Sequence, residues 1–216
     1  MRVELGTPVF CEDKPLGELA DVVIDPDKRR LTHLVVQPHG ESLVGPRLVP
    51  IELTRSGETS KAIALRCTRE DFGRLEPVRE LAYERQGGLP VDDPDWDVGI
   101  ADVLTPAFGV PGELGSMGYP AMTMTYDRIP KDDVELRRSS RVQSSDGHDL
   151  GHVEALIVDD QNGVTHFVLQ HRRLLGVRRN TTIPVKAITK IDTDVVTVGL
   201  ARDQVRALPA ERAQRR

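Results

Sequence analysis

Between Leu16 and Val36 the apolar positions fall in short β-branched runs broken by one polar cluster. Leu19, Val22, Val23 and Ile24 lead into Asp25-Pro26-Asp27, and the apolar run resumes from Leu31 to Val36. Runs of this length and type, bounded by Asp and Pro, predict a strand, a turn and a strand. The pattern returns at Val153, Leu156, Ile157 and Val158, followed by Asp159-Asp160-Gln161-Asn162-Gly163 and then Val164 to Gln170. Asn-Gly supplies the positive φ that a tight hairpin requires. Leu16-Gly17 falls on Leu150-Gly151, Asp25 on Asp159, Thr32-His33 on Thr165-His166 and Gln37 on Gln170, at a shift of 133 or 134 residues. One unit is present twice, which constrains architecture more than chemistry.

The match continues downstream, where Leu43-Val44-Gly45 answers Leu174-Leu175-Gly176 and Val49-Pro50-Ile51 answers Ile183-Pro184-Val185. Five or six short strands per copy follow from the pattern. Gly17 and Gly151, each just inside a strand, indicate a bulge or a barrel corner. Each copy closes with a short helix, one after Thr68 and one after Ala201, stopped before Pro77 and Pro209. Thr68 can cap its helix, whereas Ala201 has no side-chain oxygen and forgoes about 1 kcal/mol.

This order resembles the PRC-barrel family. The resemblance rests on LG before the second strand, THLVV or THFVL in the third, a VP or IP start to the next and a terminal helix, over residues 5–77 and 138–209. It implies a mainly β fold: two small PRC-type β-barrels in tandem, each followed by a short helix and related by approximate two-fold symmetry. It also implies a scaffold without catalysis of its own, of the kind found in photosynthetic reaction-centre subunits, in a ribosome-maturation factor and in free-standing bacterial proteins. The expected organisation is a first unit at 1–77, an irregular acidic strap at 78–135, a second unit at 136–209 and a disordered basic tail at 210–216.

Composition refines this picture. A unit of roughly 70 residues has a thin core, so the copies are expected to pack together or to form a homodimer. No run of about 18 apolar residues is present and the start is not a signal peptide, so a cytoplasmic location is expected. The strap carries 4 basic and 12 acidic groups and the segment after it 14 and 9, within a chain of net charge −5. That balance does not favour bulk nucleic-acid binding. The strap is rich in Gly and Pro yet holds Trp96, Val98, Ile100, Val103, Leu104 and Phe108, which a free linker does not need. Trp96 is therefore read as a structural anchor, with a short helical turn near 98–104.

Several groups invite a chemical reading. Asp93-Pro94-Asp95-Trp96-Asp97 alternates carboxylates as a calcium loop does, but Val98 and Leu104 stand where that loop needs Gly and Glu. The paired Thr32-His33 and Thr165-His166 read better as an imidazole satisfying a backbone group of the barrel than as metal ligands. Cys11 and Cys67, without C-x-x-C spacing, read as buried free thiols in strands. No G-x-S-x-G or P-loop lysine occurs. The expectation is no enzyme, no metal and no cofactor.

The feature above background is the hairpin after His171. Arg172, Arg173, Arg178 and Arg179 flank Leu174, Leu175 and Val177, whereas the matching loop of the first copy has one arginine, Arg47, and an added Glu41. Clustered guanidiniums beside apolar side chains suit an acidic protein, RNA or an anionic membrane surface. The reading is an adaptor or assembly factor acting through protein contacts. An accessory factor for RNA or a ribosomal protein is the alternative, and a small-molecule or metal-binding sensor the third.

Overall fold

A computed structural model describes residues 1–39, 45–55, 62–83, 96–104, 123–171, 179–192 and 194–212; at 79–83, 96–104, 123–128, 179 and 210–212 it describes the backbone course. The first unit runs β1 (Arg2–Glu4), β2 (Pro8–Cys11), β3 (Lys14–Asp25), β4 (Arg30–Pro38), β5 (Arg47–Pro50), β6 (Ile63–Leu65) and α1 (Arg69–Arg74). Then come β7 (Arg79–Tyr83), β8 (Trp96–Leu104) and β9 (Thr123–Pro130). The second unit runs β10 (Val134–Leu136), β11 (Arg141–Gln143), β12 (Asp149–Val158), β13 (Val164–His171), β14 (Arg179–Pro184), β15 (Ile188–Ile191), β16 (Val195–Val198), α2 (Arg202–Ala207) and β17 (Ala210–Arg212). The fold is mainly β, as its alternating pattern requires.

The two larger sheets are built alike. One has the order β5-β4-β3-β2-β6, and the other the order β15-β16-β11-β12-β13-β14-β17. In both, the pairing of a long strand with its neighbour shifts register at the same places: Leu19/Asp21 and Val23/Ile24 of β3 answer Val153/Ala155 and Ile157/Val158 of β12. The parallel pairing Val9↔Ile63 answers Val142↔Val196. The expected corner glycines sit at a further bulge, beside the register shifts at Val9/Phe10 and Val142/Gln143.

The leading strands are exchanged between the units. Strand β1 pairs with β12 of the second unit, Val3 opposite Leu156, while β10 pairs with β3 of the first, Leu136 opposite Val22. Val3 and Leu136 occupy matching places 133 residues apart, so each unit completes the other's sheet. The β3–β4 and β12–β13 turns meet in the same reciprocal way: Leu31 N donates to Asn162 O at 2.9 Å and Val164 N to Arg29 O at 2.7 Å. Contacts that come in matched pairs have the form of a two-fold relation. A single buried cluster gathers Val3, Leu19, Val22, Leu34 and Val49 with Leu136, Val153, Leu156, Phe167 and Ile183. Each thin unit thus gains apolar burial from its neighbour, which is the main stabilising term available to it.

The segment between the units differs from expectation. Residues expected to form an irregular strap make a three-stranded antiparallel sheet of order β7-β9-β8, and the expected helical turn at 98–104 is strand. The cause lies in Thr123-Met124-Thr125-Tyr126 and the alternation around Val98 and Ile100: β-forming residues at period two outweigh the surrounding Gly and Pro. Val78 and Ile129, at the ends of this sheet, pack on Val23, Val35 and Leu48 of the first unit's outer face. Trp96 opens β8, opposite Pro130, and its side chain lies outside the described residues. So do Asp93 to Asp95, and residues 213–216 of the tail; Ala210–Arg212 of that tail form β17 on β14 instead of being disordered.

Both helices begin where expected. Thr68 Oγ1 accepts from Asp71 N at 3.1 Å and Asp71 Oδ2 accepts from Thr68 N at 3.2 Å, closing a reciprocal cap. At α2 only the returning half exists, Gln204 Oε1 accepting from Ala201 N at 2.9 Å. Ala201→Thr is accordingly expected to stabilise the protein by about 1 kcal/mol and Thr68→Ala to destabilise it by a similar amount, read as opposite shifts of the thermal midpoint.

Candidate functional site

The recurring residues converge on backbone duties. Asp25 Oδ1 accepts from Asp27 N and Lys28 N at 3.1 and 2.8 Å, and Asp159 Oδ1 from Gln161 N and Gly163 N at 2.9 and 2.8 Å. Each Asp closes its turn as an Asx cap. At the neighbouring bulges, Thr32 Oγ1 donates to Val23 O at 3.1 Å and Thr165 Oγ1 to Ile157 O at 2.9 Å. The expectation for the Thr-His pair is therefore corrected: the threonine, not the imidazole, serves the backbone. A short hydroxyl reaches a carbonyl of the facing strand that the bulge has put out of register. The Cβ positions of Gly17 and Gly151 would lie 2.0 and 2.1 Å from Gln37 O and Gln170 O, so only glycine fits where the strands cross.

Features that do not recur are where chemistry could differ. Asp133, in the turn before β10, lies 2.7 Å from Thr32 Oγ1 through its Oδ2, so the single Thr32 hydroxyl proton is shared between this carboxyl and Val23 O. Burial raises the Asp133 carboxyl above the usual carboxylate range, partly offset by the Thr32 hydrogen bond. His33 lies beside it, its Nδ1 buried without a hydrogen-bond partner among the described residues. Burial lowers the His33 value, against the weaker opposing pull of Asp133 and Glu52. The cluster clasps β10 to the β3–β4 hairpin. It offers no nucleophile-and-base arrangement, and among the described residues no group of three His, Cys, Asp or Glu side chains is placed to hold a metal.

The sign of the His33 shift gives a prediction. A histidine whose folded value is depressed contributes stability that is present above its unfolded value and is lost as pH falls below it, near pH 6.5. The thermal midpoint is expected to fall on acidification below that point, and His33→Gln is expected to flatten the fall. Parallel curves for the two proteins would refute the assignment. Asp133 works in the opposite sense, its raised value favouring the fold at low pH and ceasing to do so as pH rises through that value.

In the exchanged strand β10, fully buried Glu135 pairs with Arg137 (Oε2 to Nε, 2.8 Å). The matching Arg2 and Glu4 pair with the charges reversed, also at 2.8 Å, but remain 30% and 25% exposed. A cleft of about 220 Å³ lies between the units, lined by Pro26, Asp27 and Arg29 on one side and Val185, Thr189 and Lys190 on the other. It is small and open, unlike an enclosed ligand cavity.

The arginine hairpin is seen at its base. His171 and Arg179 are the last paired residues of β13 and β14, and His171 Nε2 lies 2.8 Å from Thr181 Oγ1. Arg172, Arg173, Leu174, Leu175, Val177 and Arg178 lie outside the described residues, as does the side chain of Arg179, and so do Leu43 and Val44 of the matching loop. The rim from which the connection leaves is thus a regular antiparallel ladder.

Residues 138–205 match the family model of the PRC-barrel domain. The PRC-barrel match begins just after β10 and ends within α2, so the exchanged strand lies outside it. No curated protein matches the chain. Among the described residues no helix is long and apolar enough to cross a membrane.

The turns, the corner glycines and both helices stand where the sequence placed them. Sequence reasoning missed the Asp133–Thr32 clasp and the strand exchange. An aspartate and a valine followed by Glu135-Leu136-Arg137, matching Arg2-Val3-Glu4 with the charges reversed, was the available signal, too short to show periodicity.

Proposed function

We infer that the chain is a non-enzymatic interaction protein, an adaptor or assembly factor built on two PRC-type barrels, the first at 1–77 and the second matched to the family. It acts in the cytoplasm through a protein partner docked at the loop between β13 and β14. The observation that carries this reading is the division of labour in the repeat. The recurring Gly, Asp and Thr residues are committed to backbone geometry, which leaves specificity to what the copies do not share. The largest such difference in charge is Arg172, Arg173, Arg178 and Arg179 against the single Arg47. Support also comes from the PRC-barrel match, a domain type that often mediates protein interactions.

The test uses two variants, one with the four arginines changed to Gln and one with Leu174 and Leu175 changed to Ser, in affinity capture from native lysate with and without nuclease. A protein partner predicts nuclease-resistant capture that the leucine variant loses more completely, because buried apolar anchors contribute more than exposed charge pairs. Capture abolished by nuclease, with log affinity falling against log salt at a slope of about −3 for four contacts, would favour the RNA reading. Two folded variants that both keep every partner would end the proposal.

A further inference from the structure

Cys11 ends β2 and Cys67 stands in the turn before α1, not in a strand, so residues 56 apart in sequence meet at the edge of the core. Their Sγ atoms are 3.7 Å apart, and the Cys11 thiol donates to the Cys67 carbonyl oxygen. Both are free thiols, 4% and 9% exposed. In the second unit the matching positions are Ser144 and Leu200, which hold the same corner without sulfur: Ser144 Oγ donates to His148 O at 3.1 Å, and Ser145 N to Leu200 O at 3.1 Å. The fold therefore needs neither thiol, and the first unit alone places two of them in contact.

We propose that Cys11 and Cys67 form an intramolecular redox pair, oxidised to a disulfide by small peroxides. Cys67, the less buried, reacts first. Its thiolate displaces hydroxide from hydrogen peroxide as the O–O bond breaks, giving a sulfenic acid, and the hydroxide takes up the thiol proton as water. Cys11 Sγ then attacks that sulfur, the S–S bond forms as the S–O bond breaks, and the Cys11 proton leaves with the hydroxide as a second water. Each sulfur loses one electron and the peroxide gains two. Burial raises the Cys11 thiol to about 12, which makes it a poor first nucleophile at neutral pH; its part in the second step rests on the 3.7 Å separation from Cys67 Sγ. The bond would tie β2 to the start of α1.

The experiment treats the full chain with hydrogen peroxide, removes the oxidant, unfolds the protein and counts thiols with N-ethylmaleimide. The expected result is a fall from two reactive thiols to none, restored to two by dithiothreitol, in a protein that stays monomeric on a non-reducing gel. Peptide mapping should recover a Cys11–Cys67 link, which Cys11→Ser abolishes. Two thiols still reactive after treatment, a loss that dithiothreitol does not reverse, or a linked dimer would each overturn the proposal.

Discussion

Gly151→Ala is expected to destabilise the protein by about 3 kcal/mol or more, combining strain at an unfavourable φ with overpacking against fixed backbone. Gly151 holds φ +128, and an added Cβ would stand 2.1 Å from Gln170 O and 3.2 Å from His171 Cα. Neither atom belongs to a flexible side chain, so relief requires the two strands to separate at their crossing. Gly17 makes the same approach in the first unit, 2.0 Å from Gln37 O and 2.7 Å from Pro38 Cα, and Gly17→Ala should destabilise through the same overpacking, without the strain in φ. For a chain of this size that corresponds to a fall in thermal midpoint of roughly 6 °C or more. Gly73 is the control. It lies within α1 with nothing inside 4 Å of its would-be Cβ, and Gly73→Ala should stabilise by about 0.5–1 kcal/mol. Equal midpoints for the Gly151 and Gly73 variants would refute the close approach.

Leu136→Ala is expected to cost about 2–5 kcal/mol, the usual range for emptying a buried leucine site. Leu136 is fully buried opposite Val22 of β3. The location of the damage is the more discriminating result. Because β10 completes the first unit's sheet, amide exchange should quicken around Val22 to Ile24, although Leu136 leads into the second unit. Val3→Ala should do the converse, loosening residues 155–157 of β12 at a smaller cost. Sub-global openings of this kind report which strands share a cooperative unit. Exchange that quickened in β12 for the Leu136 variant would mean that each strand serves its own unit.

Leu16-Gly17 and Leu150-Gly151, the Asp turns and Thr68 are local devices whose chemistry is visible in a few adjacent residues. They were read correctly because backbone geometry dictates residue type there. The three-stranded sheet was missed because its pairing, such as Tyr83 with Thr123, spans a long chain separation, and Gly and Pro between the strands mimic a linker. The exchange of β1 and β10 was hidden for a related reason. Three residues carry too little periodicity to name their partner, and Val3 opposite Leu156 is as plausible in sequence as Val3 within its own unit. The Thr32 hydroxyl and its carboxyl partner, Asp133, lie 101 residues apart, and only the returning β10 brings them together.

Nuclear Overhauser contacts across the leading strands test their reciprocal exchange most directly. In the isotopically labelled protein, backbone protons of Val3 should show cross-strand contacts to Leu156, and those of Leu136 to Val22, with Leu31 close to Asn162 at the meeting turns. Contacts from Val3 to β3 and from Leu136 to β12, each strand remaining with its own unit, would contradict the exchange.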